Sequence, residues 1–128
     1  MSKKVLVVDD EAHILHVVSM KLKNAGYEVL TAMDGEEALD IWPSENPDLL
    51  ITDFQMPLMT GLELCARLRA DGCRTPIIML TARGFDLEAD EMAQAGISSV
   101  LAKPFSPREL LGKVDSLLAD PAKAGGKR

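Results

Sequence analysis

Four short apolar runs punctuate the chain, and each closes on a polar or ionisable group. Residues 5–8 read Val-Leu-Val-Val and end on Asp9 and Asp10; residues 49–52 end on Asp53, 77–80 on Thr81 and 100–102 on Lys103. Such runs, unbroken and not alternating, predict strands buried on both faces, as in a parallel sheet covered by helices. A weaker fifth strand is expected over 28–32.

Between the runs the apolar period changes to that of a helix. Ile14, Leu15, Val18, Leu22 and Ala25 form one stripe, stopped by Gly26. Asp34 and Glu37 make an acidic capping box ahead of Ala38, Leu39, Ile41 and Trp42, and Pro43 is expected to end that helix. After an Asn46-Pro47-Asp48 turn, the third strand and an irregular loop over 54–59, Thr60 and Glu63 cap a helix buried through Leu62, Cys65, Ala66 and Leu68 until Gly72. A weak acidic helix over 86–95, stopped by Gly96, has mostly alanines and Met92 on its apolar side and is expected to be the least firmly held. Ser106, Pro107 and Glu109 start the last helix, whose stripe is Leu110, Leu111, Val114, Leu117 and Leu118.

Five strands alternating with five helices predict an α/β fold, a single doubly wound five-stranded parallel sheet of (βα)5 type. A domain over 1–119 is expected, with 120–128 a flexible C-terminal tail or linker because Pro121, paired glycines and scattered lysines show no period. At 128 residues the chain is long enough for one self-sufficient core.

Charge narrows the functional classes. A net charge of −6 argues against direct binding to nucleic acid or to an anionic membrane surface. No run approaches the roughly 18 apolar residues of a membrane span, and the apolar stretch after Lys3 and Lys4 is too short for a signal peptide, so a cytoplasmic setting without membrane insertion is expected. Cys65 and Cys73 lack C-x-x-C spacing and read as reduced thiols. His13 and His16 read as solvated or half-buried helix residues, and Trp42 as packing.

In a doubly wound sheet the carboxyl ends of the strands form the ligand edge. That edge collects Asp9, Asp10, Asp53, Thr81 and Lys103: three carboxylates against one ammonium, a formal −2. The repulsion would raise a carboxylate pKa unless a cation were bound. Few ligands, all oxygen, favour Mg2+ over Ca2+. With the charge screened, one carboxylate can act as a nucleophile toward phosphorus, with Lys103 and Thr81 as donors to the transferred group.

These residues resemble the receiver domain of two-component response regulators, in particular the chemotaxis-regulator type, over residues 4–118. The resemblance is carried by Asp9-Asp10, by Asp53 followed by Met56-Pro57 and Gly61, by Thr81-Ala82 and by Lys103-Pro104-Phe105. It implies a flavodoxin-like strand order 2-1-3-4-5 and Asp53 as phosphoacceptor. Asp9, Asp10, Asp53 and the backbone carbonyl of Gln55 would be Mg2+ ligands, Thr81 and Lys103 phosphoryl-binding groups, and Lys103-Pro104 a cis peptide. The implied partners are a sensor histidine kinase or phosphotransfer protein and a downstream effector domain or protein. Gln55 and Arg83 would border the path of an attacking water. The face formed by the fourth helix, fifth strand and fifth helix would change on phosphorylation.

One position departs from the pattern. Three residues before Lys103 the family usually has an aromatic that swings inward; Val100 stands there, so a readout without an aromatic rotor is expected. Two other readings compete with the switch. A Mg2+-dependent phosphohydrolase with Asp53 as nucleophile would want a carboxylate two residues on, where Gln55 stands. A nucleotide-binding or purely structural module lacks both G-x-G-x-x-G and G-x-x-x-x-G-K-[ST].

Overall fold

The computed structural model describes residues 3–82, 92–93 and 95–119. Its elements run β1 (Lys4–Val8), α1 (Ala12–Asn24), β2 (Glu28–Ala32), α2 (Gly35–Glu45), β3 (Leu49–Asp53), α3 (Gly61–Ala70), β4 (Ile77–Ala82), β5 (Ser99–Lys103) and α4 (Pro107–Leu118). All neighbouring strands pair in parallel, in the order β2-β1-β3-β4-β5. The α/β class, parallel sheet and strand order are those expected from the sequence and its resemblance.

Successive side chains of a strand point to opposite faces, so each unbroken apolar run feeds two cores. Leu6, Val8, Leu50 and Met79 meet Ala38 and Trp42 of α2 and Leu64, Cys65 and Leu68 of α3. Val5, Val7, Leu49, Ile51, Ile78 and Leu80 meet Leu15, Val18 and Leu22 of α1 and Leu110 and Val114 of α4. Each fully buried Leu or Ile contributes roughly 1.5–3 kcal/mol. His13 and His16 lie on the exposed side of α1. Both cysteines are free thiols, and burial pushes the Cys65 thiol up to about 12.

Helix starts follow the caps, with two adjustments. Thr60 and Glu63 form the full reciprocal box at α3. At α2 the Asp34 carboxylate accepts from the Glu37 amide at 2.8 Å, but the Glu37 carboxylate accepts from Met33, one residue outside the expected partner. Pro43 does not end α2, which continues to Glu45. A proline removes one amide and crowds one carbonyl, and this one falls in the last turn, where Asn46 closes the helix by donating to Trp42 at 2.9 Å.

Of the helix expected over 86–95, Met92, Ala93 and Ala95 are helical and the rest lies outside the described residues, as do Arg83 and the tail expected over 120–128. Among the described residues no helix is long and apolar enough to cross a membrane.

Candidate functional site

Register brings the polar strand ends together. Val8 pairs with Thr52 and Asp53 with Leu80, which sets Asp9 beside Asp53 and places Thr81 one step further along the neighbouring strand. Ala82 pairs with Lys103 across the next ladder. One carboxylate oxygen from each of Asp9, Asp10 and Asp53 lies within 4.8 Å of the others. Asp9 is fully buried, Asp53 is 6% exposed, Thr81 is buried and Asp10 is exposed.

Lys103 is the cation of the site. Its ammonium is 2.9 Å from Asp9, 3.0 Å from Glu11 and 3.3 Å from Asp53. Its pKa is raised: burial pulls it down, and the hydrogen bonds to Asp9 and Glu11 with the charges of Asp9 and Asp53 more than reverse that. The peptide bond Lys103-Pro104 is cis, as the resemblance implies.

The carboxylates are short of counter-charge. Burial and the charge of Asp9 push Asp53 up to about 6, against the pull of Lys103 and with a smaller push from Asp10. Asp9 is also raised, by burial, although the Glu11 amide donates to it at 2.9 Å and Lys103 binds its other oxygen. Three acidic hard oxygens with one partial counter-ion fit a small divalent cation, and Mg2+ prefers one or two carboxylates with remaining positions left to water.

Glu11 was not anticipated from sequence. It is the N-cap of α1, where its amide closes the turn back to Asp9 while its carboxylate, 57% exposed, reaches Lys103. The only hint was an acid following Asp9-Asp10 where a helix begins. Gln55 lies in the loop after β3, two residues past Asp53, with its side chain exposed. Gly61 is needed at the start of α3 because a Cβ there would collide with the Asp53 carbonyl and with Met79.

The family model of the response regulator receiver domain matches residues 5–115. The chain belongs to that family. This receiver domain is 42% identical over 118 residues to the alkaline phosphatase synthesis transcriptional regulatory protein PhoP of Bacillus subtilis (strain 168), covering 92% of this chain and 49% of that protein. It is 45% identical over 116 residues to the probable transcriptional regulator ycf27 of Cyanophora paradoxa, covering 91% and 48%. The receiver domain thus spans about half the length of these curated relatives. Among solved structures, the chemotaxis response regulator CheY4 of Vibrio cholerae superposes with a TM-score of 0.84 at 40% identity, covering 92% of this chain and all of that one.

Proposed function

We propose that this receiver domain is a phosphoacceptor switch in which Asp53 takes a phosphoryl group from the phosphohistidine of a sensor histidine kinase or phosphotransfer protein, in a Mg2+-dependent reaction. The observation that carries this reading is the convergence of Asp53 with Asp9, Asp10 and the Lys103 ammonium at one sheet edge. A carboxylate with a pKa of about 6 is mostly ionised at neutral pH yet poorly compensated, which suits a nucleophile.

Asp9, Asp10, Asp53 and the Gln55 carbonyl would hold Mg2+, which when bound supplies positive charge for the phosphoryl oxygens. An Asp53 oxygen attacks phosphorus, the P–N bond to the donor imidazole breaks with its electron pair on nitrogen, and an acyl phosphate remains on Asp53. Lys103, paired by charge with the Asp53 carboxylate, then donates to the phosphoryl oxygens, and Thr81 donates its hydroxyl to them. Hydrolysis restores the carboxylate. The chain modifies itself and turns over no external substrate.

The signal is read on the surface formed by β5 and α4. Val100, half-buried beside Met79 and packed against the core under α2 and α3, replaces the swinging aromatic with a stiff side chain. The readout passes to an effector domain or protein; relatives twice as long and named as transcriptional regulators support a separate effector part. A net charge of −6 disfavours direct binding of the receiver itself to nucleic acid or to an anionic membrane surface.

Incubation with Mg2+ and acetyl phosphate tests the reading. Stoichiometric, acid-labile phosphate that is absent from Asp53→Asn is expected. Sustained release from many phosphomonoesters would instead favour a phosphohydrolase, for which Gln55 stands where a second carboxylate is wanted.

A further inference from the structure

Helix α1 has one face that the core does not use. Leu15, Val18 and Leu22 are buried against the sheet, whereas His13, His16 and Met20 lie on the solvent side, Met20 with 49% of its surface exposed. Among the described residues no hydrogen bond or ion pair engages either imidazole. A single exposed apolar side chain is ordinary. Its place one turn after an unpartnered histidine pair gives this one a chemistry.

Helical spacing brings the three donors together. His13 and His16 are three residues apart and His16 and Met20 four, the two separations at which helix side chains are neighbours. Each side chain leans toward the helix N-terminus, so Met20 is directed at His16 and His16 at His13. From the first donor to the last the helix rises roughly 10 Å. An imidazole at one end and a long, flexible thioether at the other can close that span around an ion beside His16. The buried stripe pins α1, so the donors stand on a rigid support.

Donor type selects the ion. Imidazole suits zinc and copper alike, but a thioether is a soft ligand and favours Cu+. The set shares no residue with the oxygen cluster of Asp9, Asp10 and Asp53, which fits a hard divalent cation. A cation near a helix N-terminus opposes the macrodipole, and the exposed carboxylates of Asp10 and Glu11, just ahead of α1, offset this. His13 also lines a cavity of about 500 Å3 that opens beside Lys103 and Phe105, which puts the histidine pair at the lip of the phosphoacceptor face.

We propose that His13, His16 and Met20 form a surface site for one Cu+ ion, separate from the carboxylate pocket. The site does not rest on the phosphoryl reading, because its ligands take no part in that chemistry.

Competition for Cu+ against bathocuproine disulfonate, under ascorbate and on the whole chain, tests this. Cys73→Ser serves as the background, since the half-buried Cys73 thiol is itself a soft ligand. One equivalent of Cu+ is expected to bind in that background, to shift the Met20 methyl signal in NMR spectra and to resist displacement by excess Mg2+. His13→Ala and His16→Ala are each expected to weaken binding by at least about 10-fold, the scale that losing even an outer-shell partner has in metal sites. Met20→Leu keeps the shape and removes the sulfur; it is expected to weaken Cu+ by about 10-fold and to leave Zn2+ affinity unchanged. Urea melts check that these surface variants keep the wild-type fold. No Cu+ binding in the background, unaltered affinity in either histidine variant, or a shift at another methionine overturns the site. Losses in both histidine variants with none in Met20→Leu overturn the three-donor set and leave an ordinary imidazole pair.

Discussion

Lys103 lies closer to Glu11, at 3.0 Å, than to Asp53, at 3.3 Å. The ammonium donates hydrogen bonds to Asp9 and Glu11 and meets Asp53 as an ion pair. Asp9 is fully buried and doubly hydrogen-bonded, whereas Glu11 is half in solvent, so Glu11 is the acceptor that Lys103 can release at least cost.

Glu11→Gln removes the charge of that competitor without changing its shape. Labelling by acetyl phosphate is expected to speed up about 2- to 5-fold, the scale of one partly exposed ion pair. Stability is expected to stay within about 0.5 kcal/mol of wild type. Stopped-flow labelling and urea melts check the two expectations separately.

The raised pKa of Asp53 sets a pH dependence with a definite sign. Taking 3.8 for the unfolded chain and about 6 for the folded one, the native state binds more protons between those values, so stability falls as pH rises through that window. The full swing is at most about 3 kcal/mol. Asp9, also raised, acts in the same direction. Asp53→Asn is expected to flatten the curve and to be more stable than wild type at pH 7 without Mg2+; urea melts from pH 4 to 8 measure this.

Mg2+ is expected to narrow that gap at neutral pH. Binding to the native site alone raises stability by about 2.7 kcal/mol at 100 times the dissociation constant. Because the Asp53 proton competes with the ion, the gain is expected to shrink below about pH 6. Thermal melts with Mg2+ and EDTA at pH 5 and 7.5 compare the two.

Leu58 has φ +73° and is 86% exposed, while Met59 donates to the Pro57 carbonyl across it at 2.8 Å, a tight turn that a branched side chain resists. Leu58→Gly is expected to stabilise the fold by about 0.5–1 kcal/mol, the relief of left-handed strain less the added freedom of the unfolded glycine. A lower urea midpoint for the variant would contradict this.

Much of this was legible in the residue pattern because burial on two faces leaves unbroken apolar runs, and their polar ends mark the carboxyl edge. Strand order was not legible from periodicity; it came from the resemblance, and only β1 next to β3 brings Asp9 to Asp53. Glu11 stayed hidden because a helix cap can aim its side chain several ways. The hydrogen bonds of Arg69 to Cys73, Ala95 and Gly96 left still less trace, since the acceptors are carbonyls, which every residue carries. Pro43 was misjudged because a proline excludes one hydrogen bond, and a helix about to end can do without it.

The alternation along β1 also protects the chemistry. Val5 and Val7 belong to one core and Leu6 and Val8 to the other, so sliding this strand by a single position would exchange both packings at once. Asp9 is thus kept at its post by grease on either side, and drift of the acidic mouth would have to melt the middle of the molecule first.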